Sequence, residues 1–244
     1  MEISFTYGGL MLTFMLFPKS QNRLAWKKYY LRKTFSTHTM TDIKYWEKYY
    51  ANLVGNADPS PFAKFVLDEL KLSGSLLELG CGNGRDSLFF AQNGVDVLGL
   101  DQCENTVGRL NDLQHPNTKF EVRDFTTLGD FGLFDFVYSR FTMHSISRDQ
   151  ASDTYQWVFD HLDENGQFLI EVRSVNDDFF GMGEEVEPDA FVSDHYRRFV
   201  RKEELLAELK EIGFEITYSI ESQGLAVYKE EDPAVIRVFA KKVS

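Results

Sequence analysis

The sequence predicts an α/β fold, a doubly wound, mostly parallel seven-stranded sheet with helices on both faces and an antiparallel hairpin edge. Short apolar runs alternate with helix-length segments across residues 62–241, an order typical of parallel sheets. The run 76–79 passes directly into a turn with three glycines at alternate positions. A strand, a glycine turn and a helix in this order form nucleotide-type sites at the carboxyl end of a sheet.

The predicted helices are segments with apolar residues at helical spacing or with recognisable caps. Asp86 is suited to the positive end of a helix dipole, and Gly94 and Gly213 are suited to end the helices that precede them. We expect helices over 41–53, 62–72, 86–93 and 202–212.

The predicted strands are short apolar runs bounded by turn residues. Five of them form the parallel part of the sheet, at 76–79, 95–100, 118–122, 133–138 and 167–172. The antiparallel edge is expected from strands at 214–219, 225–229 and 237–241, with a turn at 230–233.

The spacing of the glycines indicates which nucleotide binds. A dinucleotide fingerprint G-x-G-x-x-G would need its third glycine at position 85, which is Arg85. Here Gly80, Gly82 and Gly84 follow Glu78, which gives the pattern E-x-G-x-G-x-G. With its neighbours this stretch resembles motif I of the class I S-adenosylmethionine (SAM) dependent methyltransferases, and the resemblance extends over residues 42–240.

The resemblance implies SAM as the cofactor, a Rossmann-like methyltransferase fold and a role for each motif residue. Glu78 would face the α-amino group of SAM, and bare glycine backbone would lie beside its methionine and ribose. Asp101 ends the second strand, close to the offset at which an acid binds a ribose. Asp124 would accept from the adenine amino group, and Phe125 would pack on the ring. The full set of predicted cofactor-binding residues is Tyr45, Tyr50, Glu78, Gly80, Gly82, Gly84, Arg85, Asp101, Gln102, Asp124, Phe125 and Ser139.

Composition narrows the class of protein. The chain has 244 residues, a net charge of −12 and 43% hydrophobic residues, which suits one α/β domain with a sizeable core. An acidic chain argues against a nucleic-acid partner, which usually needs a basic face. Cys81 and Cys103 are the only cysteines, so we expect no metal site, a reducing compartment and a cytoplasmic location.

Residues 1–39 form a basic extension ahead of the predicted methyltransferase domain, 40–244. The extension contains six basic residues and one acid, and its apolar stretch 10–17 is too short to span a bilayer. Contact with an anionic membrane surface, an organellar address and a poorly ordered extension all remain open, and we favour the poorly ordered extension. No transmembrane segment is expected, and the oligomeric state stays open.

Helix 41–53 carries Tyr45, Trp46, Tyr49 and Tyr50 on neighbouring turns. Residues four apart share a helix face, so the tyrosines and the tryptophan either pack the helix onto the sheet or cover the methionine end of SAM. Similar Tyr-Trp segments precede motif I in the family, which favours a lid; both roles can hold.

The predicted acceptor side follows the fourth and fifth strands, and His144 and Arg140 are the predicted catalytic residues. His144 could deprotonate an acceptor or be a structural histidine. Segment 175–200 is predicted to be a mobile lid or acceptor insertion, because residues 177–188 are acidic and show no strong periodicity. Guanidinium groups match carboxylate or phosphate geometry, so an anionic acceptor is expected at a substrate-binding set composed of Arg173, His195, Arg197 and Arg198.

The sequence therefore predicts O-methylation of a small anionic or glycosyl acceptor, such as a sugar phosphate. A loose resemblance to methyltransferases of bacterial surface-polysaccharide clusters favours a role in polysaccharide biosynthesis. The alternatives are nitrogen or RNA methylation, although an Asn/Asp-Pro-Pro-Tyr motif is absent, and a catalytically silent SAM-binding subunit.

Overall fold

The computed structural model describes residues 2–7, 10–15, 43–51 and 58–243. The chain forms two compact units, Met1–Thr41 and Asp42–Ser244. In the first unit, strands β1 (Glu2–Tyr7) and β2 (Leu10–Met15) pair antiparallel. This hairpin lies within the extension predicted for residues 1–39, whose poor order stays a prediction. Two glycines between two apolar runs are a hairpin signal that the sequence analysis missed; residues 16–39 lie outside the described ranges.

The second unit begins with helix α1 over 43–50, within the predicted helix 41–53. The other helices are α2 (Pro61–Leu70), α3 (Arg85–Gln92), α4 (Glu104–Asp112), α5 (Arg148–Asp160) and α6 (Lys202–Ile212). The strands of the central sheet are β3 (Ser75–Leu79), β4 (Asp96–Asp101), β5 (Thr118–Val122), β6 (Phe134–Arg140), β7 (Leu162–Arg173), β11 (Phe214–Ser222) and β12 (Val235–Lys242).

The central sheet has the order β11-β12-β7-β6-β3-β4-β5. All neighbouring pairs from β7 to β5 are parallel, and β12 pairs antiparallel with both β7 and β11. The chain runs outward from β3 to β4 and β5 and then returns to β6 on the other side of β3. This reversal is the switch point at which open α/β sheets bind ligands, at the carboxyl ends of their strands.

Alternate residues of β3 enter two separate cores, as a sheet covered on both faces requires. Leu77 and Leu79 belong to the cluster formed with α5 and α6, and Leu76 belongs to the cluster formed with α2 and α3. All three leucines are fully buried. The predicted fold class is therefore confirmed.

Two predicted segments differ from the structure. Residues 225–229 form a loop rather than a strand, with one isolated bridge between Tyr228 and Glu231, because Val227 and Tyr228 are exposed and contribute little to the core. The predicted insertion 175–200 contains a separate antiparallel sheet, which the sequence analysis did not predict, of β8 (Glu184–Glu187), β9 (Ala190–Val192) and β10 (Tyr196–Arg198). These strands have only three or four residues, too few to show a period of two.

Candidate active site

The glycine turn connects β3 to α3 in the way its sequence predicts. Gly80, Gly82 and Gly84 have φ values of +75°, +51° and +75°, a region that residues with a Cβ rarely adopt. The amides of Gly80 and Cys81 both donate to the carbonyl of Leu100, at 2.9 and 2.8 Å. The turn is thereby fastened to the neighbouring strand.

Asp101 lies at the carboxyl end of β4 and supports the same turn. Its Oδ2 accepts the amide of Gly82 at 2.8 Å, and its Oδ1 accepts the amide of Cys103 at 2.9 Å. Each carboxylate oxygen keeps a further acceptor site. Asp101 therefore fixes the loop and can still receive two hydroxyl groups.

Glu78 and Asp86 place two buried carboxyl groups beneath the turn. The Ser87 hydroxyl donates to Oε2 of Glu78. Burial, followed by the charge of Asp86, raises the pKa of Glu78 well above its usual value. Asp86 accepts the amide and hydroxyl of Ser60, both at 2.7 Å, and the hydroxyl of Tyr138 at 2.9 Å. A cationic group near Glu78 would compensate this negative charge.

The other predicted cofactor residues lie along the same edge of the sheet. Asp124 follows β5, and its Oδ1 accepts the amide and hydroxyl of Thr126 at 2.9 and 2.7 Å. Ser139 in β6 is buried and lies 2.6 Å from the Thr142 hydroxyl. Phe125 is buried, whereas Gln102 and Arg85 are half-buried.

Helix α1 lies over the glycine turn. A Cβ added at Gly82 would lie 2.6 Å from the hydroxyl oxygen of Tyr50, and burial raises the pKa of Tyr50 well above 10. Arg109 of α4 holds the C-terminal end of α1 by donating to the carbonyl oxygens of Tyr50 and Ala51. The lid position predicted for Tyr50 is consistent with these contacts.

Tyr45, on the other side of α1, contacts the insertion. Its ring centroid lies 4.5 Å from that of His195, and its hydroxyl donates to Asp194 at 3.2 Å. Trp46 lies 5.0 Å from the same imidazole. Tyr45 therefore contacts the insertion, whereas Tyr50 contacts the glycine turn, and the predicted role of Tyr45 in cofactor binding stays a prediction.

His144 is buried, and its hydrogen bonds oppose the predicted role as a base. Its Nδ1 accepts the backbone amide of Arg173 at 3.3 Å, so the proton of the neutral ring is on Nε2. Burial, with the charges of Arg173 and other arginines, holds the pKa of His144 well below 6.5. A ring with its Nε2 protonated can donate a hydrogen bond there but cannot accept a proton.

Each of the four arginines predicted on the acceptor side already has partners within the protein. Arg140 lies 2.9 Å from Glu171 Oε1, an ion pair that is out of line for a hydrogen bond. Arg173 pairs with Asp177 and Glu231, and Arg197 pairs with Asp194, with N–O distances of 2.9–3.0 Å. Arg198 donates to the backbone carbonyls of Met143 and Ile146. Arg140 is therefore paired with a carboxylate of the neighbouring strand, and its predicted catalytic role stays a prediction.

Phe141 is a site residue that the sequence analysis missed. It follows β6 with φ +57°, a conformation uncommon outside glycine that occurs at functional sites. The guanidinium carbons of Arg140 and Arg173 lie 4.3 and 5.5 Å from its ring centroid. Nothing in its sequence context signals a positive φ.

The observed geometry suits SAM. The turn offers backbone without side chains, Asp101 offers acceptors for two hydroxyls, and the burial of Glu78 beside Asp86 favours a cationic partner. The cofactor would supply a methyl group activated by a sulfonium, and Tyr50, Glu78 and Asp101 would hold its ends. In the described ranges, no group of three or more His, Cys, Asp or Glu is arranged to hold a metal ion.

The chain matches the model of a methyltransferase domain over residues 46–219 and belongs to that family. A protein of Geobacillus sp. (strain WCH70), named as a methyltransferase, is 26% identical over 146 residues, 56% of this chain and 58% of that protein. The chain spans about half the length of the curated relatives it matches.

Solved structures give the same fold. A SAM-dependent methyltransferase of Methanosarcina mazei has a TM-score of 0.65 at 18% identity, covering 77% of this chain and 99% of its own. The 1,6-didemethyltoxoflavin N1-methyltransferase of Burkholderia thailandensis, with bound S-adenosylhomocysteine, has a TM-score of 0.60 at 14% identity and 98% coverage of both chains. The predicted family, the Rossmann-like methyltransferase fold and SAM as cofactor are confirmed.

Proposed function

We propose that the chain is an active methyltransferase that transfers a methyl group from SAM to an oxygen of a small anionic or glycosyl acceptor. The acceptor would bind where the segment after β6, the end of β7 and the strand β10 meet. There the amide of Arg198 donates to the carbonyl of His144 at 2.8 Å, and the amide of Arg173 donates to its ring. SAM and acceptor would then share one edge of the sheet.

The observation that most directly supports an anionic acceptor is the environment of Arg198. This residue is buried and, within the part of the chain that the structure describes, its guanidinium donates to backbone carbonyls rather than to a carboxylate. Carbonyls orient the cation without neutralising it. The charge of Arg198 also contributes to the lowered pKa of His144. The local potential is therefore positive in a chain of net charge −12, which favours an anion.

The experiment is a methylation screen with chemically matched compounds. The purified chain and SAM are incubated with a sugar phosphate and its sugar, a hydroxy acid and its amide, and amine analogues of each. Mass spectrometry then detects the added methyl group. Methylation of the phosphate and acid members supports the proposal. Methylation of the amines alone would instead favour nitrogen methylation, the activity named for the Burkholderia protein.

A pair of variants tests the role of Arg198. Arg198→Gln should raise KM for the anionic member of each pair and leave SAM affinity unchanged, because a uniform binding contact acts mainly on KM. Arg201→Gln is the matched control, since this nearby arginine is half exposed and pairs with Asp189 at 2.7 Å. Equal KM values for the two variants would contradict the proposed anionic acceptor.

The setting of the reaction belongs to the same proposal. Cys81 and Cys103 are free and buried, which suits the predicted cytoplasm. None of the helices in the described ranges is long and apolar enough to cross a bilayer. Methylation of a nucleotide sugar, added to the screen as a further compound, would support a role in surface-polysaccharide biosynthesis.

A further inference from the structure

The insertion sheet brings a second histidine to the acceptor side. His195 precedes β10 and is buried, in contact with the rings of Tyr45 and Trp46. Trp46 stacks on Tyr50 at 5.8 Å, and Tyr50 lies over Gly82. The imidazole of His195 is therefore linked to the predicted SAM site through two aromatic rings of one helix.

A carboxylate faces one nitrogen of this imidazole. The Nδ1 of His195 lies 3.2 Å from Oδ1 of Asp194. The two atoms are out of line for a hydrogen bond, and this nitrogen has no other partner among the described residues. Contacts of this kind are commonly loose before a substrate binds. A small rotation of the ring would align Nδ1–H with Asp194 and leave a lone pair on Nε2.

Asp194 is itself held in place. Its Oδ1 accepts from Arg197 at 3.0 Å and from the Ser193 hydroxyl at 2.9 Å, and its Oδ2 accepts from Tyr45. Burial raises the pKa of Asp194, but the imidazole of His195, when protonated, the hydrogen bond from Ser193 and the charge of Arg197 lower it by more, so its pKa is lowered overall. Asp194 therefore stays ionised and can orient the imidazole.

We propose that His195, oriented by Asp194, accepts the proton of the acceptor hydroxyl, and that His144 does not. This inference rests on the proposed function, because a hydroxyl acceptor needs a base whereas an already ionised oxygen does not. The acceptor oxygen forms the bond to the methyl carbon as the carbon–sulfur bond breaks with its electron pair on sulfur. The hydroxyl proton passes to Nε2 of His195 and then to water.

His144 and His195 differ in the group that faces Nδ1, and the assignment of His195 as the base rests on this difference. In His144 a backbone N–H occupies Nδ1, so Nε2 bears the proton. In His195 a carboxylate faces Nδ1, so the rotation that aligns the ring with Asp194 would place the proton on that nitrogen and leave the lone pair of Nε2 to accept another. Burial, followed by the charge of Arg197, lowers the pKa of His195 to about 4, which keeps the imidazole neutral in the cell.

The first test measures the tautomers of the full chain without an acceptor. Long-range ¹H–¹⁵N spectra near neutral pH should show the proton of His195 on Nδ1 and that of His144 on Nε2. His195→Gln and His144→Gln assign the signals. A proton on Nε2 of His195 would overturn the proposal, whatever the activity of the enzyme.

The second test uses a hydroxyl compound that the methylation screen identifies. His195→Gln should lower kcat by about 10²–10⁴-fold while SAM affinity, measured by calorimetry, is unchanged. Asp194→Asn should lower kcat with little effect on the KM of a neutral acceptor. His115→Gln is the control, because His115 lies in the loop before β5 and its imidazole contacts the carbonyl of the neighbouring Pro116 rather than any predicted site residue.

The outcomes separate the inference from the proposed function. If no hydroxyl compound is methylated, the proposed function fails, and the spectra still report the tautomers. If methylation continues at the wild-type rate in His195→Gln, the proposed function stands and the assignment of His195 is wrong.

Discussion

Glu171 occupies the centre of a buried charge cluster that should dominate the stability of the sheet. In β7 it lies directly opposite Arg140 of β6 and Arg237 of β12. Arg237 donates to Oε2 at 2.7 Å, and Arg140 lies 2.9 Å from Oε1. Glu171 is fully buried, and both arginine side chains are largely buried. Glu171→Gln keeps the shape but leaves two buried cations without a carboxylate.

Removing one partner of a buried ion pair costs about 3–5 kcal/mol. For a domain of this size each kcal/mol corresponds to roughly 2–4 °C in Tm. We therefore expect Glu171→Gln to lower Tm by roughly 6–20 °C, measured by calorimetry and by urea titration.

A surface pair supplies the control for this experiment. Glu204 lies 2.8 Å from Arg148, and both side chains are about half exposed. Glu204→Gln should cost less than about 1 kcal/mol. A similarly small loss of stability for Glu171→Gln would refute the reasoning that Arg140 stabilises the buried cluster rather than taking part in catalysis.

Three further predictions concern the glycine turn, the buried histidine and the basic extension. Gly82→Ala should weaken SAM binding and cost about 1–2 kcal/mol of stability, because its φ is +51° and its Cβ would meet Tyr50. Gly108→Ala is the contrasting variant: a Cβ there lies in open space within α4, so this substitution should stabilise the protein by about 0.5–1 kcal/mol. Calorimetry of both variants tests the difference. The folded-state pKa of His195 is about 4, below the ordinary 6.5. Between pH 6.5 and pH 4 the unfolded chain therefore binds more protons than the folded one, and the free energy of unfolding falls as the pH drops through this range. His195 should account for about 3 kcal/mol of this loss, so urea titrations of His195→Gln should show a correspondingly weaker pH dependence, and an unchanged one would contradict the burial of the imidazole. A chain beginning at Met40 should keep its Tm and SAM affinity, because Met1–Thr41 forms its own compact unit; unfolding on truncation would show that the extension belongs to the core.

The local signals of this chain predicted the glycine turn well. The turn at Gly80–Gly84 has positive φ values and follows a buried strand, so sequence neighbours alone define its geometry. Strand β5 and helix α6 were predicted at their observed bounds, because turn residues or a glycine end each of them.

The acceptor side depended on register and could not be predicted in the same way. Nothing local shows that Glu171 lies between two arginines, since this follows from the pairing of three strands. The tautomers of His144 and His195 likewise depend on contacts with Arg173 and Asp194 that only the folded chain reveals. For that reason the sequence assigned the base to the histidine nearest a strand end.

The most direct test of this account is the affinity for SAM of wild type and of two variants of one strand. Asp101→Ala removes the acceptor predicted for two ribose hydroxyls, and Asp96→Ala removes an exposed acid at the other end of β4. Calorimetry should show that wild type and Asp96→Ala bind SAM equally, while Asp101→Ala binds more weakly by about 2–3 kcal/mol, roughly 30–150-fold. Unchanged affinity in a folded Asp101→Ala protein would contradict the assignment of the glycine turn and Asp101 as the SAM site.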